Sequence, residues 1–294
     1  MKFRLWGTRG SIPAPGPSTI RYGGNTSCIE VRLADDALII LDAGSGIRAL
    51  GSELGACDAT ILLTHYHWDH IQGLPFFSSA FDARSSIEVF GPEFDGQGPE
   101  ENLTTQMMTP YCPATPSQLS GITAFRATPD AAFAIAGSTV TAARVSHPGV
   151  TLGYRVEEAG ESLTYISDDE VALATPHMLE SIVQLARGAD LLIHDCQYTG
   201  DEYVDRRGWG HSTAAQCVRI AERAGVKRLM LFHHDPSHSD DQVEAIAEEA
   251  ASLTSIDVVV AREGDTVTVG KRQSHDRERG MVRMDPPLIQ RSAG

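Results

Sequence analysis

The segment that most limits what this chain can become is Thr64-His65-Tyr66-His67-Trp68-Asp69-His70. Leu62 and Leu63 precede it and read as the end of a buried strand. The turn that follows gathers three imidazoles and one carboxylate between His65 and His70. A hydrophobic core gains nothing from such a turn, because a polar group buried without a partner costs about 2–7 kcal/mol. Imidazole and carboxylate are the donor types that suit zinc and similar divalent ions. One histidine here would read as an ordinary structural residue. Four donors in one turn read as a metal site.

The surrounding pattern says what holds that turn. Val-, Ile- and Leu-rich runs bounded by Gly, Asp and Pro recur at 2–6, 28–33, 38–41, 61–64 and 87–90, then at 139–145, 152–156, 163–166, 191–193, 228–232, 257–261 and 266–269. Helical spacing appears at 176–187, where Met178, Ile182 and Leu185 share a face, and at 213–224 and 239–253, which open on capping-box patterns (Thr213 with Gln216, Ser239 with Gln242). Strands first, then alternating helix and strand, predict a layered α/β architecture. Neither a linker nor a repeat divides residues 1–270. Residues 93–118 are rich in Pro, Gly and Thr and read as a long excursion, either a lid or a surface insertion. Residues 271–294 carry six basic and three acidic side chains with little apolar periodicity, and read as a disordered tail.

Composition removes several function classes. A formal net charge of −15 over 294 residues repels phosphate backbones, so no extended nucleic-acid surface is expected. No apolar run is long enough to span a bilayer. The first twelve residues lack the layout of a signal peptide, which points to the cytoplasm. Cys28, Cys57, Cys112, Cys196 and Cys217 are odd in number, widely spaced and without a CxxC, and read as buried small hydrophobes rather than as disulfides or a zinc ribbon.

With these residues in view, the chain resembles the metallo-β-lactamase superfamily. The likeness rests on the HxHxDH turn, on His147 after Val145-Ser146, on Asp168 after Tyr165-Ile166-Ser167, and on His233 after Leu231-Phe232. It implies a four-layer αββα sandwich and two divalent metal ions, zinc by default, with manganese or iron also suited to the donors. His65, His67 and His147 would hold the first ion, Asp69, His70 and His233 the second, and Asp168 would bridge. Asp169 and His234 stay open as alternatives. Asp168 is preferred because it directly follows the strand end, and His233 because it is the first residue past an apolar run. Such a pair of metals shares a water, lowers its pKa and presents hydroxide to an ester phosphorus or a carbonyl.

Within the superfamily the ribonuclease Z-like phosphodiesterase branch is the most similar. Its signatures are matched by Gly7-Thr8-Arg9-Gly10-Ser11, by Asn25-Thr26-Ser27, by the strand ending in His194-Asp195, where that branch often has His-Glu, and by Gly210-His211-Ser212-Thr213. The resemblance gives His211 the role of phosphate clamp or general acid. Its place before a helix N-terminus suits an anion, and Asp195 could fix its tautomer. With Asp69 these form the expected catalytic set. A flavodiiron site is disfavoured by His67 where an acid is expected, and a true β-lactamase by Asp168. The His147–Asp168 interval leaves no room for the long arm of enzymes that cut tRNA precursors. The expected substrate is therefore a small phosphodiester, cyclic ones included, with a homodimer left open. Two other classes stay in play: a thiolester or lactone hydrolase on the same metals, and a non-catalytic metal-binding sensor. A structural zinc site closed by four ligands differs from the open face expected here.

Overall fold

In the computed structural model, which describes residues 1–269, fourteen strands and seven helices form among the described residues. The strands are β1 (Lys2–Gly7), β2 (Cys28–Arg32), β3 (Leu38–Leu41), β4 (Asp58–Leu62), β5 (Ser86–Gly91), β6 (Ile122–Ala127), β7 (Phe133–Ile135), β8 (Ser138–Arg144), β9 (Leu152–Glu158), β10 (Glu161–Ile166), β11 (Leu191–Asp195), β12 (Arg228–Phe232), β13 (Asp257–Val260) and β14 (Thr266–Thr268). The helices are α1 (Ile47–Leu54), α2 (Trp68–Ile71), α3 (Pro99–Thr104), α4 (Pro176–Ala186), α5 (Gly200–Arg206), α6 (Ala214–Ala224) and α7 (Asp240–Ser252). One seven-stranded sheet runs β14-β1-β2-β3-β4-β5-β6 and the other β13-β12-β11-β10-β9-β8-β7.

Alternation of side chains explains how the sheets stack. Successive residues of a strand face opposite ways. Phe3, Leu5, Ile39, Leu41 and Leu62 of the first sheet meet Tyr154, Leu163, Tyr165, Ile193, Met230 and Phe232 of the second in one shared core. The intervening residues turn outward. Leu38, Ile40 and Ile61 pack with Ile47 and Leu50 of α1. Ile166, Leu192, Leu229 and Leu231 pack with α4, α6 and α7. Strands covered on both faces read as unbroken apolar runs, as Leu38-Ile39-Ile40-Leu41 does. The result is the expected four-layer αββα sandwich.

β3, β4 and β5 pair in parallel, as do β10, β11, β12 and β13. Their C-terminal ends therefore lie along common edges, the usual place for a site in such sheets. β4 departs from the sequence expectation of 61–64. It starts at Asp58 and stops at Leu62, because Thr64 leaves the ladder to donate its N–H to Asp42 Oδ1 at 2.7 Å. The 93–118 excursion is partly helical: α3 and the turn after it bury Leu103 and Met107 on the outer face of the first sheet. The five cysteines are free, three of them buried. The expected tail, 271–294, lies outside the described residues. No helix among the described residues is long and apolar enough to cross a membrane.

Candidate metal centre

The HxHxDH turn begins as β4 ends. His67 takes an extended conformation (φ −63°, ψ 149°) and α2 follows at once, which brings Asp69 and His70 into the first helical turn. Three loops from the second sheet close over it. The loop after β8 brings His147, the loop after β10 brings Asp168, and the end of β12 brings His233. Donor atoms of His65, His67 and His147 lie within 4.8 Å of one another, and so do those of Asp69, His70, Asp168 and His233. Asp168 stands between the two groups. Its Oδ2 is 3.8 Å from His65 Nε2 and 3.7 Å from His147 Nε2, while its Oδ1 is 3.1 Å from His70 Nε2 and 3.5 Å from His233 Nε2.

The donor set fits cations. Outer nitrogens are already committed to acceptors: His70 Nδ1 donates to Asp42 Oδ2 (2.8 Å), His233 Nδ1 to Gln197 Oε1 (2.8 Å) and His147 Nδ1 to Gly210 O (2.9 Å). In the neutral rings the remaining nitrogens of His70 and His233 carry lone pairs that face each other, Nε2 to Nε2 at 3.3 Å, and His147 Nε2 faces His67 Nδ1 at 3.1 Å. Buried His65 Nε2 and Asp168 Oδ1 have no hydrogen-bond partner. Facing lone pairs and orphaned buried polar atoms are costly, and divalent ions between them would remove the cost.

Charge balance agrees with this reading. Burial alone would push Asp168 up, yet His233, His70, His65 and His147 hold it well below the usual carboxylate range. Burial alone would push His70 down, yet Asp69, Asp168 and Asp42 raise it well above that of an ordinary histidine. Three buried carboxylates, Asp42, Asp69 and Asp168, thus draw positive charge into the cluster.

The two open alternatives separate by direction. Asp169 turns away, accepting the Ser146 N–H (2.9 Å) and lying 3.5 Å from His194 Nε2. His234 bonds through Nε2 to Ala261 O at 2.9 Å, and burial lowers its pKa to about 3. His233 itself has a left-handed backbone (φ 60°), a strained setting for a residue that is not glycine. Gly10 packs against it: a Cβ there would come within 2.4 Å of the His233 ring. Next in the chain, Ser11 donates its N–H to Asp69 Oδ2 (2.7 Å).

His211 lies beside this cluster, three residues before α6. Its Nδ1 donates to Asp195 Oδ2 at 3.0 Å, and its ring stacks on His233 with centroids 5.0 Å apart. Burial lowers its pKa, against the pull of Asp168 and Asp69. Asp195 is fixed in turn by the N–H groups of Asp169 and Gln197. His194, also buried, points to Asp169 and belongs to neither donor group.

Three supporting residues escape the sequence reading. Asp42, fully buried, accepts from Thr64, His70 and Tyr165. Its signal was an acid directly after the apolar run Leu38–Leu41. Glu170 accepts the N–H groups of Gly208 (2.8 Å) and Gly210 (2.9 Å) and the Tyr203 hydroxyl (2.7 Å), so it pins the loop that carries Gly210 and His211. Gln197 links Asp195 to His233. Nothing local in the sequence marks these last two.

Residues 39–234 match a family model described as a β-lactamase superfamily domain. A ribonuclease Z of Salinispora arenicola is 27% identical over 289 residues, covering 81% of this chain and 89% of that protein. The crystal structure of the metallo-β-lactamase fold protein YhfI from Bacillus subtilis superposes with a TM-score of 0.68 at 20% identity, covering 90% of this chain and 98% of that one. A diphosphatase of the PhnP family gives a TM-score of 0.65 at 19% identity, covering 91% and 97%.

Proposed function

Since the chain belongs to the metallo-β-lactamase superfamily and is a ribonuclease Z-like, metal-dependent hydrolase, we propose that it is a two-metal phosphodiesterase acting on small, including cyclic, phosphodiesters. His65, His67 and His147 would hold one ion, and Asp69, His70 and His233 the other, with Asp168 reaching both. Zinc is the first candidate. Bound there, the ions would supply an activated water and neutralise the charge that develops on phosphorus.

The observation that carries this reading is the His211–Asp195 pair at 3.0 Å beside the donor cluster. Asp195 accepts from Nδ1, so Nε2 is the nitrogen left to meet substrate. From there it can bind a phosphoryl oxygen or pass a proton to the departing oxygen. Asp69 is steadied by the Ser11 N–H, which keeps its carboxylate aimed into the site. Carbonyl hydrolysis needs no such histidine, which ranks a thiolester or lactone substrate lower.

The name ribonuclease Z among the relatives favours a second reading, RNA cleavage. Against it stand the net charge of −15 and the single hairpin, β9 with β10, between His147 and Asp168. The test is a substrate panel of an aryl phosphodiester, an aryl phosphomonoester, a lactone, a thiolester and a structured RNA. Each is assayed with and without chelator, and with zinc or manganese restored. Chelator-sensitive turnover of the diester is expected. Turnover confined to the lactone or thiolester would overturn the proposal, and preference for the RNA would replace the small substrate with a large one.

A further inference from the structure

The chain has three tryptophans. Trp6 is buried, and its Nε1 donates to Glu30 Oε2 at 2.9 Å. The other two are 76% (Trp68) and 62% (Trp209) exposed, and both sit in the loops that build the metal centre. Trp68 lies between His67 and Asp69, inside the HxHxDH turn. Trp209 directly precedes Gly210 and His211. One imidazole connects them. His147 meets His67 through Nε2 (3.1 Å) and Gly210 O through Nδ1 (2.9 Å), so the residue next to each tryptophan touches opposite nitrogens of one ring. The backbone positions that carry the two indoles therefore lie on either side of His147, at a centre where His67 is exposed. Ile12, 60% exposed, follows the Ser11 N–H that binds Asp69, and Phe94, 44% exposed, lies near Gly149, just past His147. Both are exposed apolar side chains on neighbouring loops.

An exposed indole leaves a large apolar face in water, and isolated ones have no effect on neighbouring chemistry. Two of them hung on the metal-site loops are different. We infer that Trp68 and Trp209 form a stacking rim that takes the planar ring of the substrate, so that the preferred phosphodiester is one bearing a nucleobase or a similar flat heteroaromatic group. The inference rests on the phosphodiesterase reading and narrows it. An aromatic face binds any base by stacking, without hydrogen-bond readout. The acidic surface disfavours a long polyanion, so the fit is to a nucleotide-sized diester. Phe94 also gives the 93–118 excursion a part in the site.

Two diesters with the same leaving group provide the test: thymidine 5′-(p-nitrophenyl phosphate) and methyl p-nitrophenyl phosphate. In the metal-loaded wild type, kcat/KM should favour the thymidine ester. In Trp68→Ala with Trp209→Ala that ratio should collapse towards one, with KM for the thymidine ester rising about ten- to a hundredfold. Phenylalanine at both positions should restore most of the ratio. Both side chains are largely exposed, so the variants should fold normally. A second readout is independent of turnover. Adenosine 5′-monophosphate should quench tryptophan emission saturably in the wild type and not in the double alanine variant, where Trp6 remains. If no diester is hydrolysed but the quench is present, the phosphodiesterase reading fails and the rim stands. If diesters are hydrolysed at an unchanged ratio and no quench is seen, the rim fails and the reading stands. A shift of the double variant to a smaller assembly on gel filtration, with the ratio unchanged, would make the indoles a contact between copies and overturn the inference.

Discussion

Replacing Asp42 with asparagine should cost the second metal and spare the first. Asp42 Oδ1 takes the backbone N–H of Thr64 at 2.7 Å, while Oδ2 takes His70 Nδ1 and the Tyr165 hydroxyl, both at 2.8 Å. The amide has one accepting oxygen and one donating NH2 group. A backbone N–H cannot reverse its role, so the oxygen must stay on Thr64 and the NH2 must face His70. Tyr165 can rotate its hydroxyl to accept. His70 can adapt only by giving up its Nδ1 proton, which moves to Nε2, the nitrogen that lies 3.1 Å from Asp168 and 3.2 Å from Asp69. A protonated Nε2 cannot ligate. Changing the partner of a metal-binding histidine typically lowers affinity about 10–100-fold, which is about 1.4–2.8 kcal/mol. Competition against a chromophoric chelator should resolve two binding steps, with only one weakened in Asp42→Asn, while near-ultraviolet circular dichroism stays native. Two steps of wild-type affinity would refute the argument. So would equal weakening of both.

Three further outcomes follow from the same geometry. His67→Ala should abolish chelator-sensitive hydrolysis and lower bound metal, whereas Cys196→Ala, also near the site but outside the donor groups, should keep the full metal content; elemental analysis of the purified proteins checks both. His211→Ala should retain its metals but lose diester turnover about 10²–10⁴-fold, less for an aryl oxide leaving group than for a ribose or alkyl one. Equal losses would leave His211 as a phosphate binder, and no loss would make it structural. Glu170→Ala strips three donors of their acceptor, at about 1–3 kcal/mol for each that stays buried, so urea unfolding should shift clearly to lower midpoint; an unshifted midpoint would show that the 207–211 loop does not depend on it.

Much of this molecule was legible before its structure, and the reasons are physical. Helices marked by an apolar stripe or a capping box were found nearly to the residue. The spacing at 176–187 became α4, and Thr213 and Ser239 cap α6 and α7. The candidate metal donors stood out because ligand-type residues directly follow apolar strands. What stayed hidden lacked such contrast. α1 is only eight residues long and starts after Gly46 with no side-chain cap, and β6 is a half-exposed edge strand. Glu170 follows two other acids in the chain, and only the return of a distant loop, 38 to 40 residues on, singles it out. The choices between Asp168 and Asp169, and between His233 and His234, are matters of side-chain direction, which sequence spacing does not contain.

The proposed donors of each ion come from both sheets. The HxHxDH turn belongs to the first, and His147, Asp168 and His233 to the second. Metal binding there would act as a rivet through the sandwich. By linkage, loading one site at a hundredfold excess over its dissociation constant would add about 2.7 kcal/mol to the folded state. The reciprocal also holds. A change deep between the sheets, at Phe232 or Tyr165, alters how the two halves meet and so alters how tightly the ions are held. The inter-sheet core is thus part of what sets the affinity of the centre, although none of its apolar side chains supplies a donor atom.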